Sequence, residues 1–296
     1  MSRSRLPIAA ALVILLFPYS SFAATLACPS TISSCGCTIT SAGYYQLVSN
    51  LSATNAGADC LDIRAANVKL WLDGYSITGN GGGVGLHLLK SATGAFVDGL
   101  DLSSGAFASI GSFAVGIQDD ASSGIISHTN VSYNSNAGVL LNHANGSLVS
   151  DFSTESNGYG VELSGSTLCS IQRVNADSNS TYGIWLLSSS RNVINFFEAQ
   201  DNTVAGVYVG CQPSAGPIGG RCRSSNGNHI YDGPQVGPAS ASQAYGVAID
   251  SGNSGNVISG IDGSGDSNED LDDQNAGCGS DVWFNNLGSR NASCIH

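Results

Sequence analysis

The side chains that could carry out acid–base chemistry are few and widely spaced. Asp119 and Asp120 are adjacent, whereas His143 and Glu162 lie further along the chain. A glycoside hydrolase needs two carboxyl groups about 5–9 Å apart across the scissile bond, and an isolated histidine is more often structural than catalytic. We therefore expect a protein without catalytic activity, and these four residues are the catalytic candidates if it is an enzyme.

A repeated tetrad, Gly-apolar-x-apolar, indicates the strands that position these residues. Its glycines at positions 116, 138, 160, 183 and 206 are 22 or 23 residues apart, and each tetrad is followed by two further short apolar stretches. Short strands of this kind cannot bury their apolar faces alone, but they can when each repeat forms one coil of a stack. The sequence predicts an all-β solenoid of about nine coils with a strand spacing of about 4.8 Å. A recurring amide in the turns predicts a ladder of side-chain hydrogen bonds, formed by Asn136, Asn157, Asn179 and Asn202.

The third position of each tetrad should point outward, because its two neighbours point into the core. This predicts one exposed row along the solenoid, made of Asp62, His87, Gln118, Leu140, Glu162, Trp185, Tyr208 and Ala248. Two adjacent aromatic residues beside a carboxylate suit a sugar ring, which has apolar faces and hydroxyl edges. We therefore predict a substrate-binding surface at Glu162, Trp185 and Tyr208.

A long insertion follows this surface directly. It carries Cys211, Arg221, Cys222 and Arg223. A guanidinium binds a carboxylate through two parallel hydrogen bonds, so Arg221 and Arg223 are predicted to contribute to the binding of an acidic sugar. The alternative is that both are solvated loop residues.

Composition limits the classes of partner. The chain has 10 Lys+Arg against 22 Asp+Glu, and charged residues are only 11% of it. This acidic balance argues against nucleic-acid binding, and a hydrophobic content of 42% argues against disorder. We expect a monomer.

The N-terminus has the pattern of an export signal. Arg3 and Arg5 precede an apolar run over residues 6–17, and a small-x-small site ends at Ala23. This predicts a signal peptide over residues 1–23, and hence an extracellular or periplasmic protein without a transmembrane segment. Lipidation at Cys28 is the alternative.

Nine cysteines in an exported chain predict disulfide bonds. Their clustering pairs Cys211 with Cys222 and Cys278 with Cys294. Cys169 stands alone in a strand-like stretch and is predicted to be a buried free thiol. A zinc site is the weaker interpretation, because the chain has no C-x-x-C pair.

The chain resembles the right-handed parallel β-helix proteins of the pectate-lyase-like superfamily over about residues 37–287. The resemblance rests on the opening from Cys37 to Leu47, the stretch from Asn67 to Gly79 and the ending around Trp283. It implies a single-stranded right-handed β-helix over residues 59–261, with disulfide-bonded caps at 24–58 and 262–296. The N-terminal cap would be closed by Cys60 bonded to Cys35 or Cys37. In enzymes of this superfamily the outer face of the first strand lines the substrate cleft.

The motifs of the superfamily's hydrolases are mostly absent, since only the Asp119-Asp120 pair matches them. The calcium cluster and arginine base of the lyases are absent too. The leading hypothesis is therefore a secreted protein that binds polysaccharide or has a structural role at the cell surface. The alternatives are a polysaccharide lyase or glycoside hydrolase with an atypical site, and an adhesin-like protein-interaction module.

Calcium is the one cofactor that the sequence suggests. Asp266, Asn268, Asp270 and Asp272 place side-chain oxygens at the spacing of a calcium loop, but the glycine and the final glutamate of such loops are missing. A solvated acidic cap is the preferred interpretation, with weak calcium binding as an addition.

Overall fold

The computed structural model describes residues 26–210, 223–239 and 243–296. Over these residues the secondary structure is almost entirely β, and helix is limited to one 3-10 turn at Ala276–Cys278. The strands form two long sheets in which each strand pairs with the equivalent strand of the next coil. The all-β solenoid predicted from the repeat is confirmed, and its strands pair in parallel as in the β-helix that the resemblance implied. The predicted signal peptide, Arg221 and the pair Cys211 and Cys222 lie outside the described residues.

The first sheet, called sheet A here, collects the tetrad strands. Its members within the described residues are Leu26–Ala27, Cys37–Ile39, Leu61–Ile63, Val84–Leu88, Val115–Asp119, Ala137–Asn142, Tyr159–Ser164, Tyr182–Leu187, Ala205–Val209, Tyr245–Ile249 and Glu269–Asp273.

The second sheet, called sheet B, follows the other apolar stretches of each repeat. Its main path comprises Thr31–Ile32, Gly43–Leu47, Val68–Trp71, Phe96–Asp98, Ile125–Ser127, Leu148–Glu155, Ser170–Asn175, Val193–Glu198, His229–Gly233, Val257–Ile261 and Val282–Phe284. A side path consists of Leu51–Ser52, Ser76–Thr78, Ala108–Gly111 and Thr129–Ser132.

The core is built from columns of like residues that follow the strand register. One column of sheet A has side chains with at most 2% exposure, and it runs through Leu61, Leu86, Ile117, Val139, Val161, Ile184, Val207, Val247 and Leu271. Each coil buries its apolar residues only against its neighbours. The stack as a whole therefore supplies the hydrophobic stabilisation that a single repeat lacks.

The glycine that opens each tetrad is required by the closeness of the coils. A Cβ on Gly160 would lie 2.5 Å from the carbonyl oxygen of Gly183, and a Cβ on Gly183 would lie 2.7 Å from that of Gly206. Such distances are shorter than van der Waals contact, so a side chain at this position would push two coils apart. In the last strand of sheet A the position is held by Asp270, since no further strand of that sheet follows.

The amide ladder is confirmed with one correction. Asn157 Nδ2 donates to Asn179 Oδ1 at 3.3 Å, and Asn179 Nδ2 donates to Asn202 Oδ1 at 3.1 Å. The preceding member is Asn134, whose Nδ2 donates to Asn157 Oδ1 at 2.9 Å, and not Asn136, which is exposed. The strand Ala137–Asn142 begins directly after Asn136, so the inward-facing corner lies two residues earlier.

A second ladder was missed by the sequence analysis. Asn192, Asn228 and Asn256 are fully buried, and each donates its amide to the next at 3.0–3.1 Å. The last of them donates to Asp281 Oδ1 at 3.0 Å. These ladders satisfy the polar groups that the coil corners bury.

Disulfide bonds lie at both ends. Cys278 is bonded to Cys294, as predicted. At the N-terminal end Cys60 is bonded to Cys35, and Cys37 is bonded to Cys28. Cys169 is a buried free thiol, as predicted.

The calcium-loop interpretation is corrected by the structure. The second half of the acidic segment is the strand Glu269–Asp273, paired with Tyr245–Ile249. Asp270 accepts hydrogen bonds from the backbone amides of Asp266 and Ser289. Asp270 and Asp272 therefore lie in a paired strand, whereas Asp266 and Asn268 precede it, and the four residues do not share the single loop of an EF-hand-like calcium site.

No helix among the described residues is long and apolar enough to cross a membrane.

Candidate functional site on the outer face of sheet A

The predicted outward row exists in the predicted register. Strand pairing aligns one residue per coil, in the order Asp62, His87, Gln118, Leu140, Glu162, Trp185, Tyr208, Ala248 and Asp272. The row is polar at its N-terminal end and aromatic further along. The repeat of the tetrad alone determines this alignment.

A second outward row lies beside it and was missed by the sequence analysis. It is formed by the residue that precedes each tetrad glycine, namely Val84, Val115, Ala137, Tyr159, Tyr182, Ala205, Tyr245 and Glu269. Its apolar and aromatic members pack in clusters separate from the solenoid core. The signal was present in the sequence, as two tyrosines in consecutive repeats at this position.

The two rows together form an aromatic face, defined by Tyr159, Glu162, Tyr182, Trp185 and Tyr208. The ring centroids of Tyr159 and Trp185 are 4.9 Å apart, and those of Tyr182 and Trp185 are 5.5 Å apart. The indole N–H of Trp185 donates to the carbonyl oxygen of Gly210 at 2.9 Å. The rings are therefore held in fixed positions by each other and by the backbone.

The prediction that Trp185 and Tyr208 are exposed is wrong. Their exposed fractions are 6% and 7%. Rings of the second row contribute to this burial, because Tyr159 packs against Trp185 and Tyr182 stacks on Tyr208. Tyr159 is itself only half-buried, so it presents accessible ring surface at this face.

Glu162 is the carboxyl group of the aromatic face, and its environment is unusual. Its side chain is 8% exposed, and no described residue forms a hydrogen bond with it. Burial raises the pKa of Glu162 from 4.5 to about 7, because desolvation disfavours the charged form. A carboxyl group in this state can donate a proton or a hydrogen bond near neutral pH.

The pKa values of the tyrosine hydroxyls on the same face are also raised. Burial raises the pKa values of Tyr182 and Tyr208, and the nearby Tyr159 and Asp250 add to the two shifts respectively. Burial and the charge of Glu162 raise the pKa of Tyr159. These phenols remain neutral donors over the physiological range.

The N-terminal end of the face carries a polar network around His87. Its Nε2 lies 2.9 Å from Asp120 Oδ2, and its Nδ1 lies 3.3 Å from Asp59 Oδ2. Asp120 also accepts hydrogen bonds from Gln118 and Asn142. Burial lowers the pKa of His87, but the two carboxylates outweigh it and raise the value to about 9.

The four catalytic candidates are not brought together. Asp119 is fully buried in a core column between Leu88 and Leu141, and burial raises its pKa. Asp120 faces outward to His87. The pair therefore points to opposite sides of the strand, as adjacent residues of extended chain must, and the interpretation of the two aspartates as one acidic pair is corrected.

His143 is the fourth candidate and has a local role. It is exposed, and its Nδ1 lies 2.9 Å from Asn142 Oδ1. The ring lies over Gly165, where an added Cβ would come within 3.0 Å of it. Nothing in these contacts connects His143 to Glu162.

Arg223 lies at the border of the aromatic face. Its backbone N–H donates to Ser188 Oγ at 3.0 Å, and Ser188 follows Leu187, which packs against the aromatic cluster. The Arg223 side chain is exposed.

Grooves also occur on the side of sheet B. One of about 390 Å³ is lined by Phe107, Arg173, Phe196 and Glu198 among others. Phe196 is 56% exposed, and Arg173 is paired with Asp151. This surface is the rival location for a ligand.

Comparisons with known proteins agree on architecture. The family model described as "Periplasmic copper-binding protein (NosD)" matches residues 104–233. A search of curated proteins returned no match. The Dettilon tailspike protein is similar in structure at a TM-score of 0.57 and 14% identity, over 86% of this chain and 52% of that one. A double mutant of the periplasmic alginate epimerase AlgG is similar at a TM-score of 0.50 and 15% identity, over 86% of this chain and 71% of that one.

These similarities show the fold. The chain is a right-handed parallel β-helix protein, as the resemblance implied, and it spans about half the length of the tailspike. The copper in the family description has no matching ligand group within residues 104–233, as far as the structure describes them.

Proposed function

We propose that the protein binds polysaccharide on the aromatic face of sheet A. The observation that carries the proposal is Glu162, a largely buried carboxyl group without a protein hydrogen-bond partner among the described residues, set beside the rings of Tyr159 and Trp185. A sugar hydroxyl that reaches this carboxyl group would form a hydrogen bond with it.

The rings supply the apolar half of such a site. Tyr159 and Tyr245 are half-buried at the surface of the cluster, while Tyr182, Trp185 and Tyr208 lie beneath and hold them. A rigid ring surface binds the apolar face of a sugar with little loss of conformational entropy. The accessible platform is thus carried by the tyrosines rather than by Trp185.

An acidic polysaccharide is the preferred ligand class. Arg223 is anchored at Ser188 beside the aromatic face, and its side chain is exposed. Its guanidinium would pair with a uronate carboxylate. Arg221 lies outside the described residues and stays a predicted contributor.

The comparisons support a carbohydrate role and an exported protein. One structural neighbour is an alginate epimerase, and the matching family is described as periplasmic. Disulfide bonds at both ends suit an oxidising compartment. We infer that the protein acts in the periplasm or outside the cell.

Catalysis on the bound polysaccharide is the second candidate function. It is favoured by one observation, the pKa of about 7 of Glu162, because a general acid works best when its pKa lies near the operating pH. Glu162 would then protonate the leaving oxygen as the glycosidic bond breaks, and water would add its oxygen to the anomeric carbon and release a proton to solvent.

Glycan-array screening of the chain without residues 1–23, followed by titration of the hits, tests the proposal. Glu162→Gln keeps the shape of the side chain and Tyr159→Ala removes the accessible ring. We expect the first to weaken binding at least 10-fold and the second to weaken it more. Chromatography of the bound glycan after incubation shows whether it is cleaved.

Phe196→Ala is the matched control, since it removes an exposed aromatic ring from the rival groove of sheet B. Binding that is lost in Phe196→Ala and intact in Tyr159→Ala would move the ligand to sheet B. The absence of any glycan ligand would overturn the function itself.

A further inference from the structure

We propose that Asp59, Asp62 and His87 bind one divalent transition-metal cation, with Zn²⁺ or Cu²⁺ as the fitting ions. One ligand atom from each of the three side chains lies within 4.8 Å of the other two. This cluster is at the N-terminal end of the outer face of sheet A. It lies outside the residues matched by the family model, and the proposed polysaccharide surface does not depend on it.

The fold brings the three residues together from two neighbouring coils. Asp62 is paired with His87 in the strand register. Asp59 precedes the same strand as Asp62, and its Oδ1 accepts the backbone N–H of Val84 at 2.8 Å. The Asp59 carboxylate and the backbone of Asp62 are therefore fixed relative to the imidazole before any ion binds.

Asp120 orients the imidazole for metal binding. It lies 2.9 Å from His87 Nε2, and it is itself held by Gln118 and Asn142. A histidine ligand typically donates its other ring N–H to a carboxylate in this way, which fixes the ring and raises its basicity as a ligand. The remaining nitrogen, Nδ1, faces Asp59 at 3.3 Å.

Asp62 supplies an independent indication of a missing partner. Its Oδ1 is buried and has no hydrogen-bond partner among the described residues. Its Oδ2 has only Arg64, at 3.5 Å, and that guanidinium is half exposed. The ion pairs of His87 with Asp59 and Asp120 leave Asp62 Oδ1 without a partner. A bound cation would give this buried oxygen a ligand bond.

The donor set selects the class of ion. One imidazole and two carboxylates suit Zn²⁺ and Cu²⁺, which bind nitrogen and oxygen together. Ca²⁺ needs six to eight oxygen ligands, more than this cluster offers. The site is partly open, since the side chains of His87 and Asp59 are 14% and 35% exposed.

Isothermal titration of the untagged, metal-free protein with ZnCl₂, CuCl₂ and CaCl₂ tests the site. We expect one Zn²⁺ or Cu²⁺ per chain and at least 100-fold weaker binding of Ca²⁺. His87→Gln and Asp62→Asn should each weaken Zn²⁺ binding at least 100-fold. Asp120→Asn should weaken it about 10- to 100-fold, because it acts through the histidine.

His128→Gln is the matched control. His128 Nδ1 lies 3.0 Å from Asp98 Oδ1 on the side of sheet B, so it is a histidine–aspartate pair without a third ligand. Its loss should leave binding unchanged. Wild-type binding in folded His87→Gln, or no saturable binding by the wild type, would overturn the proposal.

A spectroscopic readout covers the case in which His87→Gln fails to fold. Nitrogen-15 NMR of the wild-type histidines should show that Zn²⁺ moves the Nδ1 resonance of one histidine, and Asp62→Asn should abolish that shift. An Nε2 shift instead would contradict the assigned geometry.

Discussion

Tyr182 stacks on Tyr208 with ring centroids 4.5 Å apart and ring planes 8° from parallel. The two residues are not register partners, since Tyr182 is paired with Ala205 and Tyr208 with Trp185. The stack therefore joins the two outward rows diagonally across neighbouring coils. The small side chain of Ala205 leaves the space into which the ring of Tyr208 fits.

Replacing Tyr182 should loosen the whole aromatic face. Tyr182→Leu removes ring contacts with Tyr159, Trp185 and Tyr208, and we expect a loss of about 1–3 kcal/mol in the free energy of unfolding. Urea denaturation measures it. Tyr133→Leu changes an exposed tyrosine and should stay within about 0.5 kcal/mol of the wild type; equal losses in both variants would contradict the packing described here.

Adding one methyl group to a tetrad glycine should lower the stability of the protein. In Gly160→Ala the new Cβ would lie 2.5 Å from Gly183 O and 2.8 Å from Asn179 Nδ2. Overpacking of this kind costs about 1–3 kcal/mol. Thermal melting followed by circular dichroism should show a lowered midpoint, while Ser135→Ala on the exposed surface should not. A wild-type midpoint in Gly160→Ala would mean that the coils are further apart.

The amide ladder predicts a position-specific effect. Asn157→Leu should destabilise by about 1–3 kcal/mol, because it leaves the amides of Asn134 and Asn179 without their partner. Asn136→Leu is the control at the exposed neighbouring position. Chemical denaturation of both variants measures the difference in the free energy of unfolding. A larger loss of stability in the Asn136 variant would support Asn136 as the ladder residue, as the sequence predicted.

Glu162 should make stability depend on pH. Its pKa is about 7 in the folded protein against 4.5 for an ordinary glutamate, so the folded state holds the proton more tightly. The stabilisation from this group is complete below pH 4.5 and is lost as the pH rises through 7, by up to about 3 kcal/mol.

Denaturation midpoints at pH 4.5 and 8 test this difference. Glu162→Gln should be more stable than the wild type at pH 8 and similar to it at pH 4.5. Glu155→Gln alters an exposed glutamate and should keep the wild-type profile. An unchanged profile in Glu162→Gln would show that the carboxyl is solvated.

The register of the outer face was predictable because it depends on one residue type. The tetrad glycine is a position where a side chain would collide with the next coil, so its regular recurrence marks the coils directly. The alignment from Asp62 to Ala248 follows by counting. The burial of Cys169 was predictable on other grounds, because it is an isolated cysteine in a strand-like stretch of an exported chain.

The burial of Trp185 could not be predicted from alternation alone. Tyr182 is three residues earlier and would point inward in a regular strand, but the glycine between them breaks the alternation and both rings lie outside. The His87 network was missed for a related reason. Asp59 and Asp120 lie just outside their tetrads, and only the stacking of three coils brings them to one imidazole.

The amide ladders make the two ends of the solenoid chemically different. In the column from Asn192 to Asn256, each amide donates one N–H to the side-chain oxygen of the next coil, so the N–H groups of Asn256 need an acceptor that is not another ladder amide. Asp281 closes it with a carboxylate, which accepts from both the backbone and the side chain of Asn256 and has no proton to pass on. The column therefore ends on a residue that only accepts, and a shortened version of this protein would need a side-chain acceptor at its new last corner, a carboxylate here or an amide oxygen such as that of Gln243 in the other ladder.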